Sequence, residues 1–283
     1  MGKASEYILT LHCPDRPGLV FAVSQWLMGY RCNIVASDQF GDLDTRRFFM
    51  RIRFSGEVAL DVLRSSFTAV AAEHSMTWKL HPSDYKPKVL VMVSQYEHCL
   101  ADLLYRARVG DMPIEIVLVV SNHTVTRYLV TAFGIDYMHL PITKETKAGQ
   151  EKKVLAEVEA RGVDFVVLAR YMQILTAETC AALPGRIINI HHSYLPSFKG
   201  ARPYIRAHER GVKLIGATAH YVTADLDEGP IIAQITEPVD HRQTPNDLVA
   251  LGSNIETQVL ARAVRYQAEH RVLLNGARTV VFQ

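Results

Sequence analysis

The sequence predicts an α/β protein of two parts, a small βαββαβ domain followed by a doubly wound, mostly parallel sheet. Three observations lead there. At 283 residues the chain exceeds the usual size of one compact domain. Around residues 82–88 it reads HPSDYKPK, polar and proline-broken, which sets a boundary between residues 1–84 and 85–283. Beyond that boundary short apolar runs alternate with helical segments, the pattern of a parallel sheet covered on both faces.

In the first part, residues 7–13 form the opening strand and PDRPGL turns it into a helix. Pro17 suits a first helical turn, where its missing N–H costs nothing. Leu19, Val23, Trp26 and Leu27 then share one helical face. Residues 45–54 alternate: Phe48, Met50, Ile52 and Phe54 face one way, Arg47, Arg51 and Arg53 the other. That is the pattern of a half-buried antiparallel strand. Leu60, Leu63, Phe67 and Val70 mark a second helix, and residues 76–80 a closing strand. In the second part VLVMV (89–93), IEIVLVV (114–120), DFVVLA (164–169) and RIINI (186–190) are strands, with helices near 97–108, 124–133 and 147–161. ATAHYV and IIAQITEPV form a hairpin-like pair around DLDEGP, and a helix over roughly 245–269 closes the chain. In such sheets ligands lie beyond the carboxyl ends of the strands, which places the residues after Ile190 well for chemistry.

Bulk properties exclude several classes. The formal charge is only +2 and no basic stripe is visible, so a nucleic-acid surface is not expected. Four cysteines, Cys13, Cys32, Cys99 and Cys180, show no CxxC spacing, which argues against a zinc knuckle or a disulfide scaffold. No apolar run approaches the ~20 residues that span a bilayer, and the N-terminus lacks a signal-peptide core. The expectation is a soluble cytoplasmic protein without a metal or other cofactor.

Three segments carry candidate chemistry. Asn189 and His191 end a strand at alternate positions and so project together. An amide beside an imidazole suits a developing oxyanion and proton transfer; it equally suits a strand-end pair bonding the following loop. His192 should point the other way and pack. The turn Thr223-Ala224-Asp225-Leu226-Asp227-Glu228-Gly229-Pro230 holds three carboxylates, one of which can pair with His191 and favour its charged form. Most acidic turns are merely solvated. Residues 168–175, LARYMQIL, offer apolar side chains and free main chain for a flat heterocycle, or ordinary core.

Together these segments resemble the folate-dependent formyltransferase family over roughly residues 87–283, through the Asn-x-His strand end and the later Leu-Asp-x-Gly turn. The resemblance implies that Asn189, His191 and Asp227 are catalytic, Asp227 being chosen over its neighbours by the match alone. It implies further that Tyr171, Met172, Gln173, Ile174 and Leu175, with Thr223 and Leu226, cradle the pterin of 10-formyltetrahydrofolate. Lys199, Arg202 and Tyr204 in SFKGARPY either meet the folate tail or simply cover the sheet edge. The first part, with Asp15-Arg16-Pro17-Gly18-Leu19 after its opening strand, is similar to an ACT domain. That likeness implies an amino-acid effector site at Asp15, Arg16, Gly18 and Leu19, or a pairing module without ligand, and a homo-oligomer, dimer or tetramer.

The acceptor remains to be read. Phosphoribosyl-amine transferases of the family carry a glycine-rich loop after their first strand, where backbone N–H groups grip a phosphate. Here VLVMV runs into Ser94-Gln95-Tyr96-Glu97-His98-Cys99-Leu100, with no glycine and with a carboxylate that would repel phosphate. Water is therefore the expected acceptor. The expected reaction is hydrolysis of 10-formyltetrahydrofolate to tetrahydrofolate and formate, at a linear amide C–N bond, balancing the one-carbon pool that serves purine biosynthesis.

Overall fold

Alternation in β1 (Ser5–Pro14) and β3 (Arg47–Gly56) puts Tyr7, Leu9, Leu11, Phe48, Met50, Ile52 and Phe54 into one apolar layer. In this computed structural model, which describes residues 4–196 and 203–283, α1 (Leu19–Gly29) and α2 (Leu60–Glu73) cover that layer. Trp26 of α1 packs edge-on against Phe67 of α2 at 4.7 Å between ring centroids, and its indole N–H donates to Ser66 Oγ at 3.0 Å. With β2 (Asn33–Asp42) and β4 (Thr77–Pro82) the sheet is four-stranded and antiparallel, in the order β2-β3-β1-β4. The element order is the expected βαββαβ.

The second face of β3 is not left to water, as a half-buried strand would leave it. Phe49 is fully buried against Leu273, Phe282 and Val280. These come from a C-terminal hairpin of β12 (Val272–Asn275) and β13 (Arg278–Val281). Arg51 is also buried and donates to the carbonyl of Glu269 at 3.0 Å. Glu269–Asn275 and Thr279–Gln283 thus join the chain up to Tyr85 in one compact unit. The expected division had placed these C-terminal residues with the second part; the second compact unit comprises Lys86–Ala268 and Gly276–Arg278.

Strands β5 (Lys88–Val93), β6 (Glu115–Ser121), β7 (Tyr137–His139), β8 (Phe165–Leu168) and β9 (Ile187–His191) are mutually parallel in the second unit. Antiparallel β10 (Leu214–Tyr221) and β11 (Ile231–Pro238) extend them, giving the order β11-β10-β9-β8-β5-β6-β7. Helices α3 (His98–Val109), α4 (Arg127–Ala132), α5 (Lys147–Ala160), α6 (Ala177–Ala182), α7 (Pro203–Arg210) and α8 (Pro245–Ala268) complete the unit. The three-residue β7 escaped the sequence reading because YMH is too short to show a period. Among the described residues no helix is long and apolar enough to cross a membrane.

Candidate active site

A cavity of about 250 Å³ opens at the carboxyl ends of β8 and β9, lined by residues 170–175, Asn189, His191 and the 222–227 turn. All three segments singled out from the sequence therefore meet at one place. Asn189 and His191 both line the cavity, and so does Ile190 between them. His192, expected to pack elsewhere, lines it too, just past the end of β9 at His191.

Backbone geometry singles out Asp227 among the three carboxylates of its turn. Its φ is +58°, a left-handed conformation that aspartate tolerates better than most residues. Gly229 makes the turn possible, since a Cβ there would lie 1.7 Å from the carbonyl oxygen of Tyr221. The result is Asp227 Oδ1 3.2 Å from His191 Nδ1, with side-chain exposures of 9% and 6%. Asp225 and Glu228 are exposed. Burial raises the carboxyl of Asp227, but the hydrogen bond from His191 and the charges of His191, His220 and His192 outweigh it, and the net shift is downward. Because an ionised carboxylate only accepts, His191 Nδ1 must donate to it. His191 Nε2 is buried and has no hydrogen-bond partner among the described residues.

His220 completes the cluster and was missed from the sequence. It stands directly across from Asn189 in the β9–β10 ladder, beside a bulge at Ala219/His220. Its Nδ1 lies 2.8 Å from the carbonyl oxygen of Tyr221 and so donates. Burial holds His220 below the ordinary histidine range, so the neutral ring accepts at Nε2, and the atom 3.2 Å away, Asn189 Nδ2, is the donor. Its signal in the sequence was a lone histidine within the apolar run ATAHYV.

On the opposite wall, Tyr171 and Leu175 are buried while Met172 and Ile174 are exposed by 49% and 58%. Ser94 pins this segment: its hydroxyl accepts from Met172 N at 2.9 Å and donates to Asn122 Oδ1 at 2.8 Å. Thr223 and Leu226 are exposed on the facing rim. Where a phosphate cradle would follow β5, Glu97 instead accepts from Tyr128 Oη at 2.9 Å, and Tyr96 lies under the guanidinium of Arg170, 5.0 Å from its ring centre.

Tyr204 is buried and donates to Glu256 Oε1 at 2.9 Å, its ring filling the space left by Gly252. Lys199 and Arg202 lie outside the described residues. Among the described residues, His98, Cys99 and Glu256 have donor atoms within 4.8 Å of one another. The chemistry does not fit a metal: burial pushes the Cys99 thiol far up, and Glu256 is taken by His98, Arg170 and Tyr204. In the first unit, Gly18 has φ +94° at the start of α1, Arg16 donates to the carbonyl of Glu73 at 2.7 Å, Asp15 is exposed and Leu19 is in the core.

Residues 87–264 match the formyl transferase family. A formyltetrahydrofolate deformylase of Corynebacterium sp. (strain P-1) is 50% identical over 286 residues, covering 100% of both chains. The crystal structure of a formyltetrahydrofolate deformylase from Burkholderia mallei is 50% identical and superposes with a TM-score of 0.95, covering 99% of this chain and 100% of that one. Glycinamide ribonucleotide transformylase 1 from Symbiobacterium toebii is 32% identical with a TM-score of 0.67, over 72% of this chain and 98% of its own.

Proposed function

The chain belongs to the formyl transferase family and, within it, to the formyltetrahydrofolate deformylases; from that premise we propose how its cavity hydrolyses 10-formyltetrahydrofolate to tetrahydrofolate and formate. The observation that carries the reading is the buried relay Asp227–His191, with His191 Nε2 unpartnered among the described residues.

The pterin lies along Tyr171–Leu175 and meets Thr223 and Leu226 on the other rim, which brings N10 and its formyl group to the strand ends. Water attacks the formyl carbon. A C–O bond forms, one proton of the water passes to Asp227, and the carbonyl oxygen becomes an alkoxide. Asn189 Nδ2 and, in its imidazolium form, His191 Nε2–H donate to that oxygen; one such donor is worth about 10²–10³ in turnover. On collapse the C–N10 bond breaks, its electron pair goes to nitrogen, and His191 delivers the proton to N10. General acid help of this kind contributes roughly 10²–10⁴. The proton held by Asp227 restores the imidazolium, and the formic acid released ionises to formate. No step calls on a cofactor.

Water, rather than an amine, is the acceptor in this reading because Tyr96 and Glu97 occupy the stretch where a glycine loop would bind an acceptor phosphate. The test is to mix the protein with 10-formyltetrahydrofolate and no amine. Formate and tetrahydrofolate should appear in equal amounts, and silence would mean transfer to an acceptor.

The first unit is read as an ACT-like module that pairs with a second copy and takes an amino-acid effector at the Asp15–Gly18 turn. Its βαββαβ order and the left-handed Gly18 support this. Calorimetry with an amino-acid panel including glycine and methionine tests it; absence of heat from all of them would remove the effector.

A further inference from the structure

One wall of the cavity holds a cation whose donors are not used up. Arg170 leaves the end of β8 with φ +60°, a strained conformation for a non-glycine residue that persists where the surroundings impose it. Its carbonyl accepts from Ser94 N at 3.3 Å. Its side chain is 10% exposed, and Nε stands 3.3 Å from Glu256 Oε2. Yet among the described residues neither Nε nor Nη1 has a hydrogen-bond partner.

Glu256 meets the guanidinium as an ion pair without hydrogen-bond geometry, and it is shared with two other donors. His98 Nε2 lies 2.8 Å from its Oε2, and Tyr204 Oη donates to Oε1 at 2.9 Å. The carboxylate therefore neutralises and positions the guanidinium without saturating it. Leaving charged donors buried and unpaired is costly, so an acceptor of opposite charge is favoured there. A planar carboxylate matches the guanidinium fork.

Position ties this cation to the chemistry. Arg170 lines the same cavity as Asn189, His191 and Asp227. The β8–β9 register sets Leu168 beside Asn189, so Arg170 leaves its strand at the level where His191 leaves the next. His192, whose ring is 5.1 Å from that of His191, is held down to about 4 by burial and then by the charges of Arg170 and His191. It is neutral at neutral pH and offers Arg170 no competing charge.

We propose that Arg170 is the carboxylate subsite of this cavity and takes the formate anion produced by hydrolysis, with Glu256, His98 and Tyr204 as its positioning residues. The assignment rests on the hydrolytic reading, since formate is the anion which that reaction creates at the strand ends. The glutamate of the folate tail offers the same chemistry, but a tail leading to solvent does not suit a guanidinium that is nine-tenths buried.

The experiment titrates the full-length protein with ¹³C-formate, without folate, and follows the formate line width. N-(4-aminobenzoyl)-L-glutamate is titrated in parallel as the tail probe. Formate should bind the wild type at least tenfold more tightly than Arg170→Gln, with Arg170→Lys between them, and the tail probe should not displace it. Formate should also inhibit wild-type turnover and lose that inhibition in Arg170→Gln. Because Arg170→Gln leaves Glu256 with a buried charge, the double variant Arg170→Gln/Glu256→Gln removes both partners and should likewise lose formate while keeping the native circular dichroism. No formate binding by the wild type, undiminished binding by either glutamine variant, or displacement by the tail probe would overturn the subsite. A protein that releases formate but does not bind it keeps the hydrolytic reading and loses the subsite; one that binds formate without releasing it from 10-formyltetrahydrofolate loses the hydrolytic reading.

Discussion

His220 accepts a hydrogen bond at Nε2 from Asn189 Nδ2, 3.2 Å away, and is itself oriented by donating Nδ1–H to the Tyr221 carbonyl. This fixes which end of the Asn189 amide carries hydrogens at the cavity. Nδ2 has a second N–H, which no acceptor among the described residues takes, and the mechanism gives it to the alkoxide. His220 is thus a positioning residue. His220→Ala should lower kcat by about 10², the usual effect of losing alignment by an ångström, with a smaller change in KM. Steady-state kinetics check this; an unchanged kcat would show that Asn189 is held by something else.

Gly229 is the hinge on which Asp227 is placed. In Gly229→Ala the new methyl meets backbone, the Tyr221 carbonyl, at 1.7 Å, so the turn must move. Overpacking of this sort costs typically ~1–3 kcal/mol. The thermal midpoint should fall and kcat should fall with it, because Asp227 leaves its 3.2 Å contact with His191. Unaltered turnover in a destabilised variant would separate the turn from the chemistry.

Ser94 ties the pterin wall to the β5 and β6 ends. Ser94→Ala leaves the part-buried N–H of Met172 and the Asn122 amide oxygen without their partner, at about 0.5–1.5 kcal/mol per lost bond. The loosened 170–175 segment should raise KM for 10-formyltetrahydrofolate several-fold while kcat stays near wild type. A change in kcat alone would contradict the placing of the pterin there.

Acid should unfold the protein in two stages. His270, stacked on His81 at 4.0 Å, is held down to about 3 by burial and by the charges of His81, Arg51 and Lys79. His192 is held near 4, and His220 is lowered by burial. Each folded value lies below the unfolded 6.5, so the unfolded chain binds more protons as pH falls. The stability these neutral rings confer is complete above pH 6.5 and is lost between 6.5 and the folded values, at ~1.4 kcal/mol per pH unit for each ring still neutral. Asp227 and Glu256 are lowered carboxylates, whose contribution is present above the unfolded carboxylate range and is lost below it. Denaturant midpoints measured from pH 7 to pH 4 should therefore decline before any carboxylate titrates. A flat profile down to pH 5 would contradict the buried neutral histidines.

What the sequence revealed and what it hid divide along the range of the interactions. The period-2 alternation of Asn189 and His191, and the apolar strands around them, are local and were readable. Which carboxylate meets His191 is set by a left-handed φ at Asp227 and by a glycine pressed against Tyr221, and spacing shows neither. His220 faces Asn189 only through the β9–β10 register and its bulge. Arg170 and Glu256 are far apart in the chain and meet only once α8 is docked. Phe49, the apolar residue on the arginine face of β3, was a legible hint that this face is covered, but its partners Leu273 and Phe282 are more than 220 residues away.

The central claim is that the buried Asp227–His191 pair drives attack of water on the formyl carbon. It is tested most directly by the rate of formate release from 10-formyltetrahydrofolate, without amine, by Asp227→Asn beside the wild type. The change keeps the shape of the turn and removes the charge that orients His191 Nδ1. Turnover should fall by at least about 10² while folate binding persists. Release at near wild-type rate would contradict the account.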